Sequence, residues 1–527
     1  MTSSNTETLP GKSLYGTPGF WISALAAVLP GLYLLLTSTT STIEDIWPYD
    51  AKRLLQFLLL SILFALPLID RSIRRELGNL WAAAPGWLTT ALGGIAAWGV
   101  VAASWNARSA MHALNALADV ALLGCLVLGV VVIAACRRVA GTVFDRIAVS
   151  LLILTGLVVG FQEVLGVLAA LASGSEFNFR ISLLHFSWPR FYNQVQSWIV
   201  PALAALPLLF ARYRLAAVLC LLTLALQWFI ILMTGARGSF VSLLAAFGFA
   251  ALFLPAARGA LLKWQAGGLL LGALLFAGAM FAFESGPADE MSTAAEQPKQ
   301  VVRDADREAA GGQIGGGESS FFRQSVGRPL AHTSGRSWMW PIALNDIRSH
   351  PWFGIGPMGY ACVSTAGFGH PHNFALQIAA EWGLPAAVAA AALFLVLLWI
   401  VTARVRAAGR DGVITGLLLT GILAASLHAG LSGVMVMPAS QVAGLLLAGL
   451  LLGRLPADHR DPSAAWAVGT AAAGLVLALA LTWLGADELN RMEERSARLP
   501  VQFSLYPRMW QDSKVCLLYP PSVIVED

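Results

Sequence analysis

The sequence predicts an all-α, polytopic membrane protein: a transmembrane helical bundle of about 12–13 spans with one large extracytoplasmic loop that contains helices. Of its 527 residues, 57% are apolar and only 12% are charged, about half the charged fraction of an ordinary soluble domain. The apolar residues fall in separate blocks, most of them near the roughly 20 residues that a helix needs to cross a bilayer. Backbone groups must be paired in lipid, and the alternation typical of barrel strands is absent, so the blocks are predicted to be helices.

Thirteen apolar blocks are candidate spans. They lie at 19–37, 53–69, 86–104, 117–135, 147–171, 197–211, 214–233, 239–257, 265–283, 383–402, 414–434, 438–453 and 464–484. The connections at 211–214 and 435–438 are so short that the spans on either side of each are predicted to form tight antiparallel hairpins.

Lysine and arginine residues predict which side faces the cytoplasm, because short cytoplasmic loops carry an excess of them. If the spans alternate, one set of connections carries Arg71, Arg74, Arg75, Arg137, Arg138, Arg146, Arg212, Arg214, Arg258, Lys263, Arg404, Arg406, Arg410, Arg454 and Arg460. That side is predicted to be cytoplasmic. The opposite side receives the 173–196 segment, the turn at Arg237, the 284–382 loop and the C-terminal tail.

This topology divides the chain into five predicted regions. They are a cytoplasmic N-terminus at 1–18, an N-terminal transmembrane bundle at 19–283, the large extracytoplasmic loop at 284–382, C-terminal transmembrane helices at 383–484 and a tail at 485–527. The first part of the loop, 285–317, is rich in Gly and acidic residues and is predicted to be flexible.

The second part of the loop has local structure. Ser334 is the predicted N-cap of an amphipathic helix that runs to about Ser349, and the Pro351 that follows ends it. The glycines of 354–359 then predict a tight turn, and a His-Pro-His-Asn sequence at 370–373 leads into an apolar helix.

Four side chains on the predicted extracytoplasmic side suit phosphate chemistry: Arg190, Arg237, Arg336 and His372. Arginine presents a fixed fork of donors that matches phosphate oxygens, and it stays charged. Histidine can take a proton from a hydroxyl near neutral pH. Together these residue types indicate displacement of a phosphate leaving group by a hydroxyl nucleophile.

The arginines also have structural interpretations. Arg190 would extend to the membrane interface beside Trp188 and Tyr192, as arginines of aromatic belts do. Arg336 would pair with a loop carboxylate such as Asp346. A structural interpretation fits Arg237 least well, because its short turn lies on the side where positive residues are scarce.

The histidines have alternatives of the same kind. His372 would cap the helix that follows it, and His370 competes with it for the role of base. Pro371 between them restricts the backbone, so that one imidazole alone would point inward. His428 lies within an apolar span, where an interhelical hydrogen bond is the favoured interpretation.

Sequence motifs give little support for metal or nucleotide chemistry. The acidic pair Asp304/Asp306 of the predicted extracytoplasmic side lies in the stretch predicted to be flexible, and that side has no HExxH motif and no His/Cys cluster. The GxG turn at 354–356 lacks a βαβ context. The five cysteines show no metal-ligand spacing. Cys125, Cys136 and Cys220 are predicted to be packing residues, whereas a Cys362–Cys516 disulfide would require both residues to face an oxidising compartment.

The order and spacing of the polar clusters resemble those of the O-antigen ligase/O-antigen polymerase superfamily of bacterial membrane glycosyltransferases. The matching stretches are Arg190-Phe191-…-Asn193, Thr234-Gly235-Ala236-Arg237-Gly238, Gly335-Arg336-…-Trp340, Asn345-Asp346-Ile347, His350-Pro351-Trp352-Phe353-Gly354-Ile355-Gly356-Pro357 and His372-Asn373-…-Glu381-Trp382-Gly383. They cover about 188–386. The ligases resemble the chain most closely, although Ala386 stands where their pattern has Gly, Thr or Tyr.

The resemblance implies a reaction. Ligases of this kind transfer a glycan from an undecaprenyl-pyrophosphate carrier to the lipid A–core oligosaccharide, on the periplasmic face of the bacterial inner membrane. They resemble inverting, metal-independent enzymes of the membrane-embedded GT-C type, and no cofactor is implied. The implied partners are the lipid-linked donor, the lipid A–core acceptor and membrane lipids, with no nucleic acid.

The resemblance also implies roles for individual residues. His372 would be the general base on the acceptor hydroxyl, and Arg190, Arg237 and Arg336 would bind the departing pyrophosphate. The residues with supporting roles would be Asn373, Trp340, Tyr192, Glu381 and His370.

Three other activities remain open at this point. An O-antigen polymerase would use the same donor with a lipid-linked glycan acceptor, and a protein O-oligosaccharyltransferase would glycosylate a secreted protein. A lipid-linked glycan transporter would instead require charged residues near the middle of the membrane, for which Asp119 and Glu163 are the candidates.

Overall fold

The structure, a computed structural model, confirms the all-α prediction. It describes residues 17–39, 46, 48–108, 110–174, 183, 186, 188–284, 335–362, 368–456, 463–496 and 508–510, and none of these lies in a strand. The segment predicted to be flexible, 285–317, lies outside the described residues.

The described helices follow one another with short connections. In the first half of the chain they are α1 (Pro18–Thr39), α2 (Pro48–Ile69), α3 (Arg71–Ala83), α4 (Gly86–Trp105), α5 (Ala110–Ala140), α6 (Thr142–Ser173), α7 (Pro189–Leu203), α8 (Leu206–Leu209), α9 (Arg214–Met233), α10 (Arg237–Phe253) and α11 (Pro255–Glu284). In the second half they are α12 (Arg336–Ser349), α13 (Gly359–Cys362), α14 (Phe374–Trp382), α15 (Leu384–Ala407), α16 (Val413–Ala429), α17 (Pro438–Arg454) and α18 (Ala464–Ser496).

Ten helical segments of the described chain are long and apolar enough to cross a membrane. The apolar helices α10 and α17 are shorter, at 17 residues each. Each predicted span therefore corresponds to a helix, with one difference. The span predicted at 197–211 begins at Pro189 and is divided, because the helix is interrupted at Ala204 and Ala205.

Proline explains the interruption between α7 and α8. Pro207 has no N–H, so it cannot donate to the carbonyl of Leu203. The Cys220 thiol lies 3.4 Å from that carbonyl oxygen, and the Gln265 side-chain amide donates to the nearby Val200 carbonyl at 2.8 Å. The freed backbone groups thus find partners inside the protein, as a break at membrane depth requires.

Helix α7 forms the centre of the bundle. Every residue from Phe191 to Leu203 is buried, and the helix packs against α9, α10, α16 and α17. Trp198 fixes two of these contacts: its indole N–H donates to Ser440 at 2.9 Å, and its ring lies where a Cβ on Gly444 would be. Because Arg190 lies in the first turn of this helix, the core of the bundle determines where Arg190 is placed.

The two ends of the bundle differ in their polar contacts. At one end Asp145 pairs with Arg137 at 2.9 Å and with Arg454. The other end gathers the start of α7, the 234–236 turn, the 335–382 segment and the 430–437 turn. We call this second end the His372 end.

The 335–382 segment is packed onto the bundle by aromatic and backbone contacts. Phe353 stacks on Trp98 of α4 with ring centroids 4.8 Å apart, and the Trp98 indole N–H donates to the Trp382 carbonyl at 2.8 Å. Gly383 has a φ of +85°, and a Cβ there would lie 1.9 Å from the Trp352 carbonyl oxygen, so only glycine fits. The predicted helix to Ser349 and the glycine turn after it are confirmed.

Two local predictions have different outcomes. The N-cap position of α12 is occupied by Gly335 rather than by the predicted Ser334, which lies outside the described residues. Cys362 is disulfide-bonded, whereas Cys125, Cys136 and Cys220 are buried free thiols. The partner considered from the sequence, Cys516, lies outside the described residues.

Candidate active site

His372 has an unusual backbone conformation. Its φ is +53°, in the left-handed region that residues other than glycine seldom adopt. Its amide N–H donates to Nδ1 of His370 at 3.2 Å, and the preceding Pro371 carbonyl accepts the Trp340 indole N–H at 3.1 Å. Such conformations cost on the order of 1–3 kcal/mol and are found disproportionately at active sites.

Asn373 is the N-cap of α14. Its side-chain oxygen accepts the Leu376 amide N–H at 3.0 Å, which satisfies a donor that the helix itself cannot pair. The interpretation of His372 as the helix cap is therefore wrong. Asn373 determines where α14 begins, and this leaves the His372 imidazole available for another role.

The electrostatic environment keeps the His372 imidazole neutral. Burial, together with the nearby positive charges of Arg336 and Arg190, lowers the pKa of His372 from 6.5 to about 3. A neutral imidazole has one nitrogen that can accept a proton. Because the charges of Arg336 and Arg190 both lower the pKa of His372, these three residues form one electrostatic cluster.

Arg336 is the first residue of α12. Its Nε donates to the Leu431 carbonyl at 3.1 Å, and its Nη2 donates to the same oxygen. The side chain is half-buried, and this burial lowers its pKa, although an arginine remains charged in any case. Arg336 thus connects α12 to the turn between α16 and α17.

Arg237 is the first residue of α10, and the Gly238 that follows it lies against Leu431, whose carbonyl Arg336 binds. A Cβ at Gly238 would lie 3.8 Å from Cβ of Leu431 and 3.1 Å from Nε2 of His428. On its other side, His428 Nδ1 is 2.8 Å from the Ser197 hydroxyl, so the interhelical hydrogen bond predicted for His428 is confirmed.

The three arginines occupy equivalent places in three helices. Arg190 is the second residue of α7, Arg237 the first of α10 and Arg336 the first of α12, and the first turns of these helices hold no acidic residue. A helix N-terminus carries a partial positive charge, so a cation there is unfavourable by roughly 0.3–1 kcal/mol. An anion bound between these termini would remove that repulsion and pair with both the arginines and the helix dipoles.

The turn at 430–437 contributes contacts that the sequence did not reveal. Besides accepting from Arg336 at Leu431, it provides Ser432, whose hydroxyl accepts from the Gln194 side-chain amide at 3.0 Å. Gly433 lies against His370, where a Cβ would be 2.5 Å from the imidazole Cε1. The sequence places this stretch at the end of a span, but α16 ends at Ala429. In the sequence, the glycines at 430 and 433 are the only indication that the helix ends before this stretch.

His370 lies behind His372. It is buried, and its Nε2 has no hydrogen-bond partner among the described residues. Burial, with the proximity of His372 and the charge of Arg508, lowers its pKa well below 6.5. His370 therefore supports the backbone of His372 through its Nδ1.

Two residues expected to support the site make their side-chain contacts with groups other than the three arginines. Tyr192 is buried in the bundle, where its hydroxyl donates to the Gln227 side chain at 2.8 Å. Glu381 pairs with Arg508 at 2.6 Å and accepts the Tyr360 amide N–H at 3.2 Å. Their contacts are structural.

Part of the chain matches a model of a known protein family. Residues 220–391 match a family model described as O-antigen ligase. The protein carries an O-antigen ligase domain. A search of curated proteins found no match. This match supports a membrane glycosyltransferase-type activity in general.

The O-antigen ligase domain covers much of the candidate site. It begins within α9 and ends within α15, so it includes Arg237, Arg336 and His372. Arg190 and the 430–437 turn lie outside it and reach the site through the packing of α7 and α16. No group of three or more potential metal ligands occurs in the part of the chain that the structure describes.

Proposed function

We propose that this protein is an O-antigen ligase, which transfers O-antigen polysaccharide from undecaprenyl pyrophosphate to the lipid A–core oligosaccharide. The observation that supports this proposal is that Arg190, Arg237 and Arg336 each lie in the first turn of a helix, and that the charges of Arg336 and Arg190 reach His372 and help to keep its imidazole neutral. This arrangement suits an anionic leaving group on one side and a proton acceptor on the other.

In the proposed reaction, His372 takes the proton of the acceptor hydroxyl. The hydroxyl oxygen then forms a bond to the anomeric carbon of the donor sugar while the bond from that carbon to the pyrophosphate oxygen breaks. A single displacement of this kind inverts the anomeric configuration. The bonding electrons leave with the pyrophosphate, and the three arginines neutralise the charge that develops there. Preorganised donors of this kind contribute about 2.7–4 kcal/mol each in other enzymes.

The low pKa of His372 has a direct consequence for this mechanism. A base with a pKa of about 3 is present in its neutral form but is weak. Because the charges of Arg336 and Arg190 contribute to that low value, a pyrophosphate bound between them would offset their effect and raise the pKa. His372 would thus become a stronger base when the donor is in place.

The orientation of the site is part of the proposal. Cys362 lies in the 335–382 segment and is disulfide-bonded, and disulfides persist in oxidising compartments such as the bacterial periplasm. Arg137 and Arg454 lie at the opposite end of the bundle, as expected for a cytoplasmic side. Both observations support an inner-membrane protein whose site faces the periplasm.

Reconstitution tests this function directly. The full-length protein in proteoliposomes would be incubated with labelled undecaprenyl-pyrophosphate glycan and, in separate samples, lipid A–core, a second lipid-linked glycan or a secreted acceptor protein. Label on lipid A–core is expected. Label on the second lipid-linked glycan would identify a polymerase, and label on the protein an O-oligosaccharyltransferase. Translocation without covalent transfer would identify a transporter and contradict the proposal.

A further inference from the structure

A short segment of the C-terminal tail is buried in the His372 end of the bundle. Arg508, Met509 and Trp510 are exposed to 3%, 2% and 5%, which is typical of a protein core. Arg53 of α2 holds the backbone of this segment by donating to the Met509 carbonyl at 3.0 Å and to the Arg508 carbonyl at 3.1 Å. The Tyr49 hydroxyl also donates to the Arg508 carbonyl.

The Arg508 guanidinium joins two helices that are far apart in sequence. Its Nη2 lies 2.9 Å from an Asp119 carboxylate oxygen in α5 and 2.6 Å from a Glu381 carboxylate oxygen in α14. Glu381 has no exposed surface. Burying a carboxylate is costly unless a cation and further donors satisfy it, so Arg508 is the group that makes this position of Glu381 tolerable.

Hydrogen bonds connect Glu381 to the helices that carry the candidate site. Its other carboxylate oxygen accepts the Tyr360 amide N–H at 3.2 Å, and the Tyr360 hydroxyl donates to the Met339 carbonyl in α12 at 3.0 Å. Next to it, the Ile355 amide donates to the Ala380 carbonyl at 2.8 Å. One continuous network therefore runs from Arg508 through α14 and α13 to α12.

We propose that Arg508 is a positioning residue, which fixes α14 and α12 relative to the bundle and thereby sets the geometry between His372 and Arg336. His372 immediately precedes the N-cap of α14, and Arg336 is the first residue of α12. The proposal rests on the proposed function, because it assigns to Arg508 the alignment of that same site.

Two electrostatic observations support this role. Burial raises the pKa of Glu381 to about 7 although Arg508 opposes the shift, so without Arg508 this carboxyl would be protonated at neutral pH. The charge of Arg508 also contributes to the low pKa of His370, the residue whose Nδ1 accepts the His372 amide N–H. Arg508 is thus close enough to influence the histidine segment directly.

The test compares two matched arginine substitutions in the full-length protein. Arg508→Met removes the cation of the tail, and Arg454→Met removes a cation from the buried Arg137–Asp145–Arg454 cluster. That cluster lies at the other end of α5, about 27 Å from Asp119 at 1.5 Å per residue. Hydrogen–deuterium exchange of the 355–382 region and the kcat and KM for transfer from the lipid-linked donor to lipid A–core are measured for each.

We expect Arg508→Met to accelerate exchange in 355–382 and to lower kcat by about 100-fold, with a smaller change in KM, because a misplaced base loses the reactive alignment. Arg454→Met is expected to change neither. Glu381→Gln in the Arg508→Met background removes one of the two buried acidic groups that Arg508 had paired and keeps an acceptor for Tyr360, so it should restore part of the lost kcat. If Arg508→Met is not recovered folded, Glu381→Gln alone is expected to show the same changes to a smaller degree.

Unchanged exchange and kcat in Arg508→Met would overturn the positioning role, as would equal losses in Arg508→Met and Arg454→Met, which would indicate general destabilisation. Failure of the proposed function looks different. The wild-type protein would then show no transfer, while the exchange difference between the two variants would still report whether Arg508 fixes the segment.

Discussion

The amide N–H of His372 donates to Nδ1 of His370 at 3.2 Å, and the two imidazole rings stand edge-to-face with centroids 4.3 Å apart. Because Nδ1 of His370 accepts this bond, a neutral His370 carries its proton on Nε2, the atom that faces Gly433. The two histidines therefore differ in function: His370 supports the strained backbone at position 372, and His372 faces the positive charges.

This division predicts unequal effects of substitution. His372→Ala should lower kcat by about 10²–10⁴-fold, the usual contribution of a general base. His370→Asn should lower kcat less, because an Asn side chain can still accept a hydrogen bond from the amide N–H of residue 372. Both are measured in the proteoliposome transfer assay at matched protein abundance. Retained transfer by His372→Ala would remove His372 from the role of base.

The pH dependence follows from the low pKa of His372. A group with a depressed pKa loses its proton at lower pH, so the neutral base persists down to about pH 3 in the free protein. Between about pH 5 and 8, kcat/KM should show no acid limb near 6.5 from this residue. Arg336→Met removes a repelling charge and should move the acid limb upward. A wild-type acid limb near 6.5 would contradict the environment described for His372.

Arg336 should not be replaceable by lysine. Its Nε and Nη2 both donate to the Leu431 carbonyl, a forked contact that a single ammonium group cannot reproduce. Arg336→Lys keeps the charge but should raise KM for the lipid-linked donor and lower kcat. Transfer activity is compared between Arg336→Lys and Arg336→Met. Full activity in Arg336→Lys would show that the positive charge alone is sufficient and that the two hydrogen bonds to Leu431 are not needed.

Asn373 should act through helix capping alone. Asn373→Ala is expected to lower the free energy of unfolding by about 1 kcal/mol and to loosen the start of α14, whereas Asn373→Asp should keep both stability and transfer. Thermal unfolding in detergent and the transfer assay measure the two effects. Loss of transfer in Asn373→Asp at normal stability would indicate a chemical role for the amide.

Gly433 offers a test of the contact with His370. A Cβ at this position would lie 2.5 Å from His370 Cε1, so Gly433→Ala should displace the histidine segment and reduce transfer. In Gly430→Ala, in the same turn, the new Cβ would lie near the Leu427 carbonyl alone, at 3.2 Å, so transfer should fall less. Equal transfer by the two variants would show that the position of His370 does not affect the reaction.

Most spans could be predicted because the bilayer imposes a length and a composition on each helix. The prediction was wrong at the start of α7 for a physical reason. Asn193 and Gln196 lower the local hydropathy, yet they are buried and paired with each other at 2.8 Å, and Gln196 also donates to the Gln227 side chain at 2.9 Å. Polar residues that face other helices rather than lipid carry no hydropathy signal for a span.

The candidate site was predictable only in part. His372, Arg190, Arg237 and Arg336 have residue types and neighbours that indicate chemistry. The contacts that hold them have no such indication in the sequence. Arg336 binds the Leu431 carbonyl, which is 95 positions away in the sequence, and Arg508 binds Glu381, which is 127 positions away. A backbone carbonyl has no sequence signature, and the pairing of a tail arginine with a distant carboxylate depends on packing that local patterns do not encode.

The burial of α7 has a consequence for how the protein can diverge. All its side chains from Phe191 to Leu203 are enclosed by neighbouring helices, whereas α12 buries only Met339, Ala343 and Ile347 along one narrow stripe. A substitution within α7 must be accommodated on every side, while α12 buries a smaller share of its side chains among the described residues. Among homologues, the helix that carries Arg190 should therefore change more slowly than the helix that carries Arg336.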